Sequence, residues 1–247
     1  FEGKAEKYIR NVLHKKIDQL TVDESGMISV EMKNSIEDSD LQRLTRAKKL
    51  QLLGLTYTQV SDSGLRLLRD MIDLQHLYLG GTQVGDAGLK HLGSYFNLRH
   101  LSLGATQISD AGLEHLSGLI DLQGLDLNHT KVGDAGLAHL KNLINLQYLN
   151  LDGTQVTDAG LEHLSGLVDL RMLDLKHTQV GDAGLVHLKN LVSLQDLRLD
   201  VTQVNDAGME HLKGLVNLQK LDLYRTQVSD AGAEELMKAI PGLNITR

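Results

Sequence analysis

The sequence predicts an α/β fold: a right-handed solenoid with the shape of a horseshoe, a parallel sheet on its concave face and short helices on its convex face. Two observations predict it. A unit of 24 residues repeats without insertion, and in each unit the apolar residues first alternate and then follow helical spacing. A strand and a helix of this size cannot bury their apolar faces alone, so successive units must stack.

Eight units fill residues 50–241 with the pattern L-x-x-L-x-L-x-x-T-x-V-x-D-A-G-L-x-H-L-x-x-L-x-x. The unit that begins at Leu146 shows both periods. Its inward strand positions are Leu149 and Leu151. Its apolar positions at helical spacing are Leu161, Leu164, Leu167 and Val168.

We predict caps at both ends of the repeats. Residues 1–49 form an N-terminal cap with a helix over Gly3–Ile17, a hairpin between Leu20 and Val30 whose turn lies near Ser25 and Gly26, and a degenerate repeat. The degenerate repeat carries Ile28, Val30, Ile36, Asp38, Leu41 and Leu44. The hairpin covers the first sheet edge, and residues 242–247 form a C-terminal cap strand.

We number the positions, or letters, of the unit from 1 to 24. Besides leucines, three letters are the same in all eight copies and are interpreted as structural: the ninth (Thr154), the thirteenth (Asp158) and the fifteenth (Gly160). A buried threonine hydroxyl can bond the adjacent turn. A carboxylate before a helix can accept from its free N–H groups, although eight regular acids could also hold metal ions. Glycine inside a helix costs about 1 kcal/mol against alanine, so close packing against the sheet or a neighbouring repeat is expected there.

The repeated pattern resembles the leucine-rich-repeat family, in the form found in many bacterial, planctomycete-type proteins. The resemblance covers nearly the whole chain and implies the same horseshoe, with threonine at the position where the family usually has asparagine. Repeats of this family often accompany signalling or membrane-attached domains.

Composition limits the classes of partner. With 247 residues, 41% of them hydrophobic, the chain can bury a substantial core, and without cysteine it has no disulfide or thiolate chemistry. A net charge of −7 argues against nucleic acid. No apolar run approaches the roughly 20 residues of a membrane helix, and we expect a monomer. Localisation stays open between the cytoplasm and a disulfide-independent bacterial secreted or surface protein.

The third, fifth, seventh and eighth letters vary most, and strand alternation places them on the concave face. We predict an apolar and aromatic anchor region there beside a mixed-charge region. The predicted partner-binding residues are Leu52, Tyr57, His76, Tyr78, His100, Asp126, His129, Tyr148, Asp152, Asp174, Lys176, His177, Arg198, Asp200, Tyr224 and Arg225. Drift of solvated positions is the alternative interpretation.

Metal and catalytic sites are less favoured. Histidine recurs at the eighteenth letter in six units, from His91 to His211, but equivalent side chains on stacked helices would rarely converge on one ion, so packing or hydrogen bonding is expected. His76 and His100 on adjacent strands supply only two ligands. The carboxylates Asp126 and Asp152, with Asp174, are interpreted as a solvated patch, because an open sheet does not shift a pKa by burial. We expect no metal and no cofactor.

The sequence therefore predicts a non-catalytic interaction module that binds a protein partner on the concave sheet. A second possibility is a structural or spacer solenoid of a larger signalling or surface protein. A designed, consensus-like repeat scaffold is a third, and an enzyme is the most remote. Fold alone does not identify the partner.

Overall fold

A computed structural model describes residues 2–13, 15–22, 28–47 and 50–247. Its strands are β1 (Ile17–Val22), β2 (Ile28–Met32), β3 (Leu50–Gly54), β4 (His76–Tyr78), β5 (His100–Ser102), β6 (Gly124–Asp126), β7 (Tyr148–Asn150), β8 (Met172–Asp174), β9 (Asp196–Arg198), β10 (Lys220–Asp222) and β11 (Asn244–Thr246). Its α-helices are α1 (Glu2–Leu13), α2 (Asp38–Leu41), α3 (Asp62–Leu68), α4 (Asp86–Leu89), α5 (Asp110–Leu113), α6 (Asp134–Leu137), α7 (Asp158–Leu161), α8 (Asp182–Leu185), α9 (Asp206–Leu212) and α10 (Asp230–Ala239). The described strands form one sheet in chain order.

From β2 onward the strands are parallel, and from β3 onward they pair letter for letter, which confirms the predicted solenoid. Gly124 pairs with Tyr148, and Asp126 pairs with Asn150. The same letter of every unit therefore lines up in a column across the sheet. The leucines at the fourth and sixth letters, such as Leu149 and Leu151, are fully buried in a single continuous core.

The helical side of each unit is shorter than the spacing suggested. Helix α7 has four residues, and a 3-10 turn over Glu162–Leu164 follows it. The chain is no longer helical at Val168, which is 46% exposed, so the assignment of Val168 to the helix from its spacing was wrong. The same letter is exposed in seven units, at Ile72, Phe96, Ile120, Ile144, Val168, Val192 and Val216.

The threonine letter forms the predicted structural ladder. In all eight units its Oγ1 donates to the carbonyl oxygen three residues earlier, as Thr154 does to Leu151 at 2.7 Å. Seven of the eight threonines are buried, among them Thr130 and Thr202. The hydroxyl finds its hydrogen-bond acceptor in the turn that follows each strand. A buried polar side chain is therefore tolerated at this position.

The aspartate letter joins neighbouring units. Asp110 is the first residue of α5, and its Oδ1 accepts a hydrogen bond of 2.6 Å from the backbone N–H of Gly133 in the next unit. The equivalent bond recurs from Asp38 through Asp206. The prediction that this carboxylate caps its own helix was wrong, because the residue before it is the N-cap. The bond is charge-assisted and crosses between repeats.

The glycine letter provides the space for that carboxylate. A Cβ built on Gly136 would lie 2.5 Å from Asp110 Oδ1, and the other seven glycines of the column face the preceding aspartate in the same way. Close packing against the neighbouring repeat is therefore confirmed. Aspartate and glycine act as one latch between successive units, which we call the Asp–Gly latch.

The N-terminal cap differs in detail from the prediction, whereas β11 lies within the predicted C-terminal cap strand. Helix α1 ends at Leu13, and Ile17, which was predicted to be helical, begins β1 because the chain reverses to pair antiparallel with β2. The predicted turn at Ser25 and Gly26 lies outside the described residues. In the segment predicted to be a degenerate repeat, β2 pairs in parallel with β3, and Asp38 accepts a hydrogen bond from the N–H of Ser61.

A double-mutant cycle tests the Asp–Gly latch. Gly136→Ala should cost about 1–3 kcal/mol by overpacking, and Asp110→Ala should cost a similar amount by leaving the Gly133 N–H unpaired. Because the first loss depends on the carboxylate, the double variant should lose about 1 kcal/mol less than the sum in urea denaturation.

The matched control replaces Gly118, which has no atom within 4 Å of a built Cβ. Gly118→Ala should add independently to Asp110→Ala. Simple additivity in the cycle of Asp110 with Gly136 would contradict the latch.

Candidate functional site

The concave face carries a cluster of rings where β4 to β7 meet. The rings of His76 and His100 stack with centroids 4.8 Å apart and planes inclined by 7°. Burial lowers the pKa of both, and the Arg99 guanidinium lowers it further; for His76 the facing His100 also contributes. Both histidines are therefore mainly neutral at pH 7. Nδ1 of His76 is buried and has no hydrogen-bond partner among the described residues.

A cavity of about 270 Å³ opens beside this pair. It exists because the third letter is glycine in one unit only: Gly124 leaves a gap between His100 and Tyr148 on the flanking strands. The His100 ring leans over Gly124 so closely that a Cβ there would overlap it. The lining comprises Tyr78, His100, Leu101, Ser102, Gly124, Asp126 and Tyr148.

Asp126 is the acidic residue that lines this cavity. Its Oδ2 accepts from the Ser102 hydroxyl at 3.2 Å, and its Oδ1 accepts from the backbone N–H of Asn128 at 3.1 Å. Burial, and next the Asp126 carboxylate, raise the pKa of the Tyr148 phenol. No lysine, arginine or histidine of the described residues forms an ion pair with Asp126.

The next four units carry a network of ion pairs. Lys176 Nζ lies 3.8 Å from Asp152 and 3.5 Å from Asp174, and Arg198 Nη1 lies 3.4 Å from Asp174. His177 Nδ1 lies 2.7 Å from Asp152 Oδ1. The network joins Asp152, Asp174, Lys176, His177, Asp196, Arg198 and Asp222. The negative charges of these aspartates are partly neutralised by the neighbouring lysine and arginine side chains.

Asp174 corrects the prediction of a solvated acidic patch. It is only 2% exposed, because the side chains of Lys176, just after β8, and Arg198, at the end of β9, lie over it. Burial raises its pKa despite the opposing effect of both cations and of its hydrogen bond from the Lys176 N–H. The pKa of a carboxyl group on an open sheet is therefore shifted by burial where longer side chains cover it.

The eighth letter lies at the rim of the face in an unusual conformation. In every unit φ is positive, between +51° and +67°. Only two of the eight residues are glycine. Each of these glycines lies under the ring of the equivalent residue in the preceding unit: Tyr57 lies over Gly81, and His129 lies over Gly153. The left-handed region costs an L-residue roughly 1–2 kcal/mol, so six units hold a side chain at the rim against that cost.

The side chains of the remaining predicted residues take no part in the ring stack or in the network of ion pairs. Leu52 is half-buried at the N-terminal end of the face. Asp200 is half-buried and accepts from the His177 N–H through its carbonyl oxygen. Tyr224 is 50% exposed, and the Arg225 guanidinium lies 5.2 Å from the centre of its ring. Ser102 and Gly124 were missed by sequence reasoning; the break in a column of large third letters was the available signal.

The convex histidines are half-buried from His91 to His211. Burial lowers the pKa of His91, and the nearby Lys90, Arg66 and Arg69 lower it further. In the described part of the chain no group of three or more histidines, aspartates and glutamates is placed to hold a metal ion. Within the same residues no helix is long and apolar enough to cross a membrane.

These features define a solenoid repeat protein with an open concave sheet. A family model described as a leucine-rich repeat region matches residues 61–244, and the chain belongs to this family. Leucine-rich-repeat proteins are generally protein-interaction modules, and the fold is typically a non-catalytic scaffold. A comparison with curated proteins finds no match.

Two solved structures from Listeria monocytogenes have a similar fold. Internalin C2 is 23% identical with a TM-score of 0.66, and the match covers 92% of this chain and 93% of that one. A second internalin is 23% identical with a TM-score of 0.61, covering 83% of this chain and 69% of that one. At this identity the likeness shows the fold.

The stacked histidines give a test of the local electrostatics. Removing the positive charge in Arg99→Gln should raise the pKa of His76 and His100, since that charge disfavours protonation of both rings. An NMR titration of the imidazole C–H signals measures the change. Arg171→Gln, at the same letter three units away, is the control and should leave both unchanged; an unmoved or lowered pKa in Arg99→Gln would contradict the arrangement.

The rim conformation gives a second test. Val201 is held at φ +55°, which a β-branched residue rarely adopts, so Val201→Gly should stabilise the protein by about 0.5–1 kcal/mol after the extra entropy of glycine is counted. Val192→Gly, at an exposed valine outside the left-handed region, should destabilise it instead. Thermal unfolding measures both, and equal destabilisation would speak against strain at the rim.

Proposed function

We propose that the chain is a non-catalytic interaction module that binds a protein partner on its concave sheet. The cavity at Gly124 is the main support. Tyr78, His100 and Tyr148 converge there around an open volume of about 270 Å³, and none of these three rings belongs to the buried core. Tyrosine supplies large, rigid contact area at interfaces at a low entropic cost.

The charged half of the face complements this anchor. Its ion pairs hold Lys176 and Arg198 in fixed positions against Asp152 and Asp174. Charges that are already positioned favour one orientation of a partner and disfavour others. The anchor would supply affinity, and the network would supply orientation.

The strained rim adds an independent argument. Tyr57, His129 and Arg225 hold left-handed backbone angles, although glycine would fit the same position at lower cost. Strain of this kind is kept where the side chain has a use. The rim residues therefore belong to the proposed binding surface.

A spacer role has one observation in its favour. The exposed apolar letters from Ile72 to Val216 form a column away from the concave sheet, and a contiguous apolar strip is a usual mark of a contact surface. If the solenoid only displays other domains, contacts should form on this column and leave the sheet free.

Site-specific photo-crosslinking in cells of the source organism separates the two roles. Benzoylphenylalanine replaces Tyr57 or Tyr224, which are 66% and 50% exposed on the concave side. The matched control replaces Phe96, an aromatic residue that is 62% exposed in the apolar column. We expect the two concave positions to crosslink the same polypeptide, identified by mass spectrometry, and Phe96 not to. Crosslinks from Phe96 alone, or from no concave position, would overturn the proposal.

A further inference from the structure

The cavity at Gly124 contains an acid without a cation. Asp152, Asp174, Asp196 and Asp222 each lie within 4 Å of a lysine or arginine nitrogen. Asp126, in the same concave columns, receives hydrogen bonds only from a hydroxyl and a backbone amide among the described residues. Its negative charge is therefore available to a ligand.

The walls of the cavity are planar rings. Tyr78 and Tyr148 flank it on two strands, and His100 lies between them over Gly124. The face of an aromatic ring attracts a cation within about 6 Å. The Asp126 carboxylate beside them is half-buried, and partial removal from water strengthens the attraction between a carboxylate and a cation.

The surroundings also favour positive charge. Tyr78 has Glu31 close enough to raise its pKa after burial does so, and a second hollow of about 330 Å³ beside it is lined by Asp18 and Glu31. The stacked histidines add little positive charge at pH 7, because the pKa of each is lowered. Two cations oppose this. Arg99, exposed at the letter before β5, acts on the histidine pair, and Arg198 acts on Tyr148, where Asp126 and Asp174 act in the opposite sense.

We infer that this cavity binds the guanidinium group of an arginine side chain from the protein partner. The inference rests on the proposed function and names the group that the concave face recognises. Guanidinium is planar, stacks on aromatic faces and donates two parallel hydrogen bonds to a carboxylate, whereas ammonium is compact and strongly hydrated. A volume of about 270 Å³ suits one long side chain and is below the usual range for a drug-sized ligand.

The test uses small probes and the purified chain. An NMR titration follows the backbone amides of Ser102, Gly124 and Asp126 with n-butylguanidinium, n-butylammonium and the neutral isostere n-butylurea. We expect n-butylguanidinium to shift these amides with a Kd on the order of 1 mM. The ammonium probe should bind several-fold more weakly, and the urea should not saturate.

Two isosteric variants complete the test, with thermal unfolding confirming that each is folded. Asp126→Asn keeps the shape and a hydrogen-bond acceptor but loses the charge, so guanidinium binding should weaken at least 10-fold. Asp200→Asn makes the same charge change on the concave face outside the cavity and should leave the Kd within 2-fold. Unchanged binding in Asp126→Asn, or urea binding as tight as guanidinium, would overturn the inference, and tighter ammonium binding would overturn the choice of arginine.

Failure here and failure of the proposed function give different results. The probes report on the cavity alone, whereas crosslinks at Tyr57 and Tyr224 report on the concave face. Concave crosslinks with no guanidinium binding would leave the interaction module in place and remove arginine as the group it recognises.

Discussion

The rest of the structure depends on the Asp–Gly latch. Each unit buries its leucines only when its neighbour is stacked in register. The charge-assisted hydrogen bond that the Gly133 N–H donates to the Asp110 carboxylate fixes that register at the helix starts. Gly136 gives the carboxylate its space. Because the same contact recurs from the degenerate first unit to the last, the columns of the concave sheet line up over its full width.

The letters of the unit that stabilise the fold are different from those that form the concave surface. Leucine, threonine, aspartate and glycine carry the core, the turn and the latch, and they barely change from one unit to the next. The concave letters change freely because their side chains leave the packed side of each strand. The left-handed rim goes further, since residues such as Val201 hold a backbone conformation that β-branched residues rarely adopt.

Features that follow from the period of the unit and from the residue type at each letter were predictable from the sequence, whereas the particular partner or burial of a polar side chain was not. Parallel pairing, the threonine ladder and the close packing at the glycine belong to the first kind, because each follows from spacing along the chain. The partner of Asp110 belongs to the second, because spacing alone does not say that a carboxylate reaches the next repeat. Val168 was wrongly assigned to the helix, because the helical spacing of the apolar residues continues beyond the end of α7. The burial of Asp174 depends on how two longer side chains lie.

Gly124 shows how such a surface can change its specificity. A cavity arises here because one unit lacks a side chain between two units that have large ones. The scaffold leucines beside it, such as Leu125, are buried on the opposite side of the strand. A single substitution at a concave letter can therefore open, move or close a recognition pocket in a repeat array. Side chains on the two flanking strands already form the walls of each new pocket. Diversity of binding would come from the order of small and large letters, at almost no cost to folding.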